Sequence, residues 1–231
     1  MTKRIAKSRT QKQRRRETQM AVLAAAIDML VEAGHIGFSS SGVAARARVS
    51  RGALEHYFPT RNDLLTAAAR HAMEEAIRHA RMLAARAGKS ADVLEKFLLD
   101  SEHFFFSPVY LAMIELAFAA HRDAALRRVQ RPIVIQAREI LNQIWIDTLS
   151  AAGYSRANAQ RFIELTHLLL RGVFFASTWL PYDIDRKAVM RMWLQLAPAT
   201  LKLASRNGKR RRRAALGQGL HRSPVYRLPT A

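Results

Sequence analysis

Residues 38 to 58 constrain the fold most, because they predict two short helices joined by a tight turn. Ser39 is a suitable N-cap for the first helix and Ser50 for the second, and Pro59 ends the second. Small and apolar residues occupy the positions where these helices would face each other and a third helix: Val43, Ala44, Ala47, Val49, Gly52, Ala53 and Leu54. This pattern predicts a helix-turn-helix, a motif whose second helix enters the major groove of DNA.

Apolar residues at helical spacing predict helices through most of the remaining chain, and we find no convincing strand. A helix from about residue 14 to Ala33 ends at Gly34, and a longer one capped by Thr60 and Asp63 reaches about Ala87, with Gly88 as its stop. Further helices are predicted at 91–106, 108–122, 124–152, 156–180 and 185–205, separated by Ser107-Pro108, Asp123, Gly153 and Pro181; Pro132 would kink or divide one of them. The fold class is therefore all-α, with an N-terminal three-helix helix-turn-helix domain joined to a larger helical domain.

Charge is concentrated at the two ends of the chain, which carries a net charge of +20. We expect a disordered basic arm over 1–13, the helix-turn-helix domain over 14–65, the second domain over 66–205 and a disordered basic tail over 206–231. Cationic ends favour a polyanionic partner. The sequence has no cysteine and no apolar run of membrane-spanning length. We therefore expect a cytoplasmic protein that forms no disulfides and has no membrane partner.

The segment from Met20 to Leu65 resembles the TetR family of bacterial regulators. Shared features are a long helix ending in Ala-Gly, then Gly-Phe-Ser, then Arg-Val-Ser, then Arg-Gly-Ala-x-x-His-Tyr-Phe-Pro-x-Arg-x-x-Leu. The resemblance implies a homodimeric DNA-binding regulator, by family analogy a repressor of a palindromic operator. It also implies that the second domain serves ligand binding and dimerisation.

The resemblance places the DNA contacts on the second motif helix and its surroundings. His56 and Tyr57 would meet phosphate or base edges, and Arg61 would meet phosphate. The complete set of expected DNA-binding residues is Ser39, Ser50, Arg51, Gly52, Ala53, Glu55, His56, Tyr57 and Arg61, with Arg15 and Arg16 directly after the arm. Phe58 is expected to pack inside the motif.

Two positions depart from the family pattern. Arg48 stands at the turn where the family usually has glycine, so it must adopt a positive φ or bend the turn differently. Glu55 stands where tyrosine is frequent; it could accept a bond from cytosine N4, or pair with Arg51 four residues earlier, which we favour.

The second domain is rich in aromatic residues, and the resemblance implies a cavity for a small-molecule effector, which we expect to be largely apolar. Candidate pocket residues are His103, Phe105, Met113, Ile114, Trp145, His167 and Phe174, with Glu115, His121 and Gln143 as further polar contacts. The two last helices would form the dimer interface through Phe162, Leu165, Leu169, Val173, Val189, Trp193 and Leu196. The alternative for every one of these residues is ordinary core packing.

An enzyme is disfavoured because no phosphate-binding loop, nucleophile elbow or paired-carboxylate motif is present in the sequence. His71, Glu75 and His79 share a helix face but extend over about 12 Å, too far for one metal ion, so we expect no metal and no cofactor. Two other functions remain open: non-specific binding of nucleic acid or acidic surfaces, and ligand binding without a role on DNA.

Overall fold

The computed structural model describes residues 11–87, 92–180 and 183–214. Across these ranges the chain forms nine helices and no strand, which confirms the all-α prediction. The helices are α1 (Gln11–Gly37), α2 (Ser40–Arg46), α3 (Arg51–Tyr57), α4 (Arg61–Arg86), α5 (Asp92–Phe105), α6 (Pro108–Arg122), α7 (Ala124–Ala151), α8 (Arg156–Trp179) and α9 (Arg186–Ala214). The helix stops expected at Gly88 and Pro181, most of the basic arm and the tail beyond 214 lie outside the described residues.

The early helices begin at the predicted caps. The Ser39 hydroxyl accepts a hydrogen bond from the Gly42 amide at 3.1 Å, and the Ser50 hydroxyl accepts one from the Ala53 amide at 3.2 Å. Thr60 and Asp63 form a full capping box, with both backbone-to-side-chain distances at 3.0 Å. Each cap satisfies an amide that the first helical turn would otherwise leave unbonded.

Helix ends differ from the prediction at the two extremes of the described chain. Helix α1 starts at Gln11, inside the predicted arm, and α9 continues to Ala214, past the predicted break at Asn207-Gly208. Glutamine, lysine, arginine and alanine have high helix propensity, and their sum outweighs one unfavourable glycine. Helix α7 also remains continuous through Pro132.

The first hydrophobic core joins the helix-turn-helix to the second domain. Val22 and Leu30 of α1, Val43 of α2 and Leu54 of α3 are at most 1% exposed and belong to this core. The same core contains side chains of later helices: Ala112, Leu116 and Ala120 of α6 and Leu126 of α7. The motif therefore has no separate interior of its own.

A second core lies among α5, α7, α8 and α9. Phe97 is fully buried at its centre, with its ring centroid 5.4 Å from that of Trp145 and 5.7 Å from that of Phe162. Between the two cores, Ala72, Met73, Ile133 and Ala137 form a smaller cluster where α4 packs along α7. The space left beside this cluster becomes the cavity described below.

Helix α1 is long and apolar enough to cross a membrane by length and composition, and so is the bent pair α5 and α6 taken together. In the folded chain four apolar residues of α1 are buried. Val22, Ala25, Ala26 and Leu30 all pack into the first core. Packing against this core accounts for the apolar residues on the inner side of α1.

Arg48 occupies the turn after α2 with a φ of +55°, so the first of the two predicted alternatives is correct. The Val49 amide donates to the Ala44 carbonyl at 3.0 Å and the Arg48 amide to the Ala45 carbonyl at 3.2 Å. These two bonds form a Schellman motif with arginine at the position that favours glycine. The backbone of Arg48 is therefore strained by its Cβ.

Replacing Arg48 by glycine should raise the free energy of unfolding by about 0.5–1 kcal/mol, because glycine adopts this φ without a steric penalty. Urea denaturation of the full chain measures the effect. Arg48→Ala is the matched control, since it removes the charge and keeps the Cβ. Equal stabilities of the two variants would contradict this explanation.

Candidate nucleic-acid interface and ligand cavity

Helix α3 presents a polar face to solvent and buries one side chain of the motif core. Leu54 is buried, whereas Arg51, Gly52, Glu55 and His56 are exposed. Tyr57 is half-buried at the edge of that face. The guanidinium carbon of Arg15 on α1 lies 5.4 Å from the centre of the Tyr57 ring, so both side chains belong to one surface. Arg16 is also exposed on α1.

The Glu55 carboxylate pairs with Arg51 on the same helix, with 2.7 Å between Arg51 Nε and Glu55 Oε1. This confirms the favoured alternative for Glu55. The exposed pair also holds the pKa of Arg51 above its usual value, chiefly through that hydrogen bond. Gly52 lies on the same exposed face, and a Cβ placed there would meet no protein atom within 4 Å. Its lack of a side chain is therefore not required by packing inside the described protein.

Arg61, an expected phosphate contact, is half-buried and makes contacts within the protein. Its guanidinium donates to the His35 carbonyl at 2.6 Å, to the Phe38 carbonyl at 3.3 Å and to Nε2 of His35 at 2.9 Å, and it lies over the Phe38 ring. Helix α1 is broken by the non-helical backbone of Gly34, and we call the segment from His35 to Ser39 the loop before α2. All three nitrogens of the Arg61 guanidinium are used to fix this loop. Nothing in the sequence indicated that the carbonyls of this loop would accept hydrogen bonds from Arg61.

That loop is also bonded to α6. The His35 amide donates to Glu115 Oε2 at 3.2 Å, and Gly34 just before it has a φ of +63°. A Cβ at Gly34 would approach the same carboxylate oxygen to 3.0 Å, so glycine permits both the conformation and the contact. Burial and the neighbouring Arg61 lower the pKa of His35, which keeps its Nε2 free to accept from Arg61. Glu115 is therefore a link between domains and not the pocket residue we expected.

A cavity of about 720 Å³ lies among α4, α5, α6, α7 and α8. Six of the seven predicted pocket residues line it: His103, Phe105, Met113, Ile114, Trp145 and His167; His121 also lines it. Phe174 does not; its ring packs against Tyr110 at 5.0 Å, and Phe175 reaches the cavity instead. Gln143 is exposed and donates to Asp147 at 2.7 Å.

One wall of the cavity contains a buried carboxylate. Asp100 accepts from the indole of Trp145 at 2.7 Å, and its other oxygen lies 2.7 Å from Nδ1 of His79. Burial raises the pKa of Asp100, and the two hydrogen bonds oppose that rise. His79 of α4 thus has a partner on α5, and the described residues contain no cluster of three or more metal-binding side chains.

The cavity lining also contains a group of cations, which was not predicted from the sequence. Arg127, Arg131 and Arg138 of α7 and Arg171 of α8 all line the cavity. Their spacing on α7, at i, i+4 and i+11, was a readable sign of one helix face. Desolvation, then Arg171 and Arg138, lower the pKa of His167 to about 3, so its imidazole is neutral near pH 7.

The exposed face of α8 and α9 is unusually apolar. Leu165 and Leu196, both predicted interface residues, are 45% and 51% exposed, and Trp179 is 81% exposed. Phe162 and Val173 are buried within one chain, which removes both from a possible interface; Phe162 stacks on Trp193 at 5.5 Å. Leu169, Val189 and Trp193 are half-buried.

The chain is similar to known proteins in both sequence and structure. A profile described as bacterial regulatory proteins, tetR family, matches residues 22–68. The HTH-type transcriptional regulator CymR of Pseudomonas putida is 35% identical over 173 residues, which cover 75% of this chain and 85% of CymR.

Solved structures show the same fold. A TetR-family transcriptional regulator from Rhodococcus sp. has a TM-score of 0.59 at 24% identity, covering 80% of this chain and 99% of that one. The multidrug binding protein EbrR complexed with ethidium has a TM-score of 0.55 at 23% identity, covering 80% of this chain and 98% of EbrR.

Replacing Arg61 by methionine should lower the free energy of unfolding by about 2 kcal/mol, because the carbonyls of His35 and Phe38 lose a charged donor. Arg70→Met, at an exposed position on the same helix, is the control and should change stability by less than about 0.5 kcal/mol. Urea denaturation compares the two. A similar loss in both variants would show that the loop contacts of Arg61 add no stability.

Proposed function

The chain belongs to the TetR family of bacterial regulatory proteins, and on that basis we propose a homodimeric repressor whose operator binding is controlled by a small-molecule effector. DNA binding and transcriptional regulation follow from membership of the family. The main support for effector control of operator binding is the shared core, which connects the helix-turn-helix to a cavity of about 720 Å³. Such a regulator acts in the cytoplasm.

The reading surface is the exposed face of α3 together with the start of α1. His56 and Tyr57 remain available to phosphate or base edges, since Arg51 and Glu55 are paired with each other in the free protein. Arg15, beside Tyr57, adds a cation that suits a phosphate. The open space around Gly52 would allow the DNA backbone to approach the helix closely.

A homodimer would cover the apolar face of α8 and α9. This face carries exposed side chains that a single chain leaves in water: Leu165, Leu168, Trp179, Leu180, Met192 and Leu196. Pairing two copies would also place two recognition helices on one DNA face, about 34–36 Å apart or a multiple of that, to read a palindrome. One short helix alone contacts too few base pairs for useful affinity.

Effector control would act through α6. Met113, Ile114 and Leu116 of this helix line the cavity, while Glu115 holds the loop before α2. A ligand that shifts α6 would move the His35 amide and with it the position of the motif. Release of DNA requires that the effector bind the shifted arrangement more tightly than the DNA-bound one.

Selection from a pool of random duplex DNA at about 0.15 M salt tests the proposal. We expect enrichment of one palindromic sequence with half-sites roughly one helical turn apart or a multiple. His56→Ala and Tyr57→Phe should each weaken binding to the selected site about tenfold, because each removes a polar contact to DNA. Gln136→Ala, exposed on α7, is the control and should bind as the unmodified chain does.

Recovery of sequences without a shared motif would instead favour the alternative of non-specific polyanion binding. That alternative also predicts equal affinity for all duplexes and a steep fall with salt. Unchanged binding in both α3 variants would place the reading surface elsewhere.

Leu168→Glu should convert the dimer to monomers and lower operator affinity at least tenfold, because a carboxylate would be buried in the apolar interface. Leu168 is 61% exposed, so the substitution leaves the core of each chain intact. Leu99→Glu is the control, since Leu99 is 51% exposed on α5, which is not one of the two proposed interface helices. Sedimentation velocity measures the assembly; a dimer that survives Leu168→Glu would refute this interface.

A further inference from the structure

We propose that the cavity binds a small organic anion with an apolar body, and that Arg138 and Arg171 hold its carboxylate. The inference rests on the proposed effector control and specifies the chemical class of the effector. It adds a carboxylate to the expectation of a largely apolar ligand, because that expectation took no account of the arginines.

The cavity offers an apolar surface for the body of such a ligand. Phe105, Tyr110 and Trp145 contribute aromatic rings, and Met113 and Ile114 contribute flexible and branched aliphatic groups. The Phe105 and Tyr110 rings meet edge to face with centroids 4.8 Å apart, so their positions fix each other. A volume of about 720 Å³ is within the range of pockets for small organic ligands.

Both carboxylates of the cavity wall already have cationic or hydrogen-bonding partners. Asp100 is bonded to His79 and Trp145, and Glu75 is bonded to Arg78. Neither is left to neutralise the arginines across the cavity. The arrangement therefore disfavours a cationic ligand, which would have to take a carboxylate from an existing pair.

The four arginines differ in what they are free to do. Arg127 donates to the carbonyls of Ala120 and His121 at the end of α6 and so has a structural partner. Arg131 and Arg138 make no hydrogen bond or ion pair with the residues that the structure describes. Unpaired arginines beside an apolar cavity are the groups that would gain most from a carboxylate.

Arg171 is held in place by the walls of the cavity itself. Its guanidinium carbon lies 5.6 Å from the centre of the Phe105 ring, and the guanidinium is close enough to the Tyr110 hydroxyl to oppose the rise in the pKa of Tyr110 that burial causes. A planar guanidinium fixed in this way has donors left for two-point binding of a carboxylate. Arg171 and Arg138 both lower the pKa of the neighbouring His167, which shows that they act on one part of the cavity.

The test compares three probes of one shape and different charge: 1-naphthoate, 1-naphthamide and 1-naphthylmethylammonium. Isothermal titration calorimetry of the full chain measures their affinities at pH 7.5. We expect the carboxylate to bind at least about tenfold more tightly than the amide, and the ammonium to bind most weakly, because charge-assisted hydrogen bonds exceed neutral ones.

Arg138→Gln and Arg171→Gln should each reduce the preference for carboxylate over amide, and the double variant should abolish it. Affinity for the amide should change less than threefold, which shows that the apolar walls are intact. Arg128→Gln, exposed on α7 and not part of the cavity lining, should keep the full preference. The amide thus reports folding independently of charge.

Equal or tighter binding of the amide or the ammonium, a carboxylate preference that survives the double variant, or no binding of any probe would overturn the proposal. Release of operator DNA is measured separately on the same samples. Carboxylate binding that leaves DNA bound would contradict effector control and support the anion site. DNA release by the amide alone would support effector control and contradict the anion site.

Discussion

The insertion of α6 into the interior of the helix-turn-helix is the contact on which the remaining arrangement depends. Leu116, which is 1% exposed, packs with Val22 and Leu30 of α1, and burial of such a side chain stabilises by about 1.5–3 kcal/mol. The same residue lines the cavity, and its neighbour Glu115 bonds the loop before α2. Because α6 is rigid and contacts both the core of the helix-turn-helix and the cavity, a shift of α6 at the cavity also shifts it in that core.

Most of the fold could be predicted from the sequence because it depends on interactions between residues close together in the chain. Ser39, Ser50 and Thr60 each cap the helix that follows, because a cap depends on residues two or three positions away. The pairing of Arg51 with Glu55 and the positive φ of Arg48 belong to the same class of short-range effects. The cavity itself was expected from the family resemblance, together with the richness of the second domain in aromatic residues.

Contacts between residues far apart in the chain could not be predicted from the sequence in the same way. Arg61 appears at a position where a phosphate contact is expected, but its partners are carbonyls 23 to 26 residues earlier in the chain. The apolar spacing of Phe162 and Val173 fits an interface as well as a core. The rotation of α8 about its axis places both side chains in the interior of the chain. The arginines of α7 were visible in the sequence, but their orientation toward the cavity depends on how α7 packs against α4.

The shared core has a consequence for building hybrid regulators. A chimera that takes residues 1–65 from this chain and the remainder from another regulator would cut α4 between Leu65 and Ala68, which pack in one cluster. It would also replace Ala112, Leu116 and Ala120, so the recipient would have to supply side chains of matching volume on its own α6. A transplant that carries those α6 positions along with the motif is the smaller departure from native packing, and it would transfer the Glu115 link in the same step.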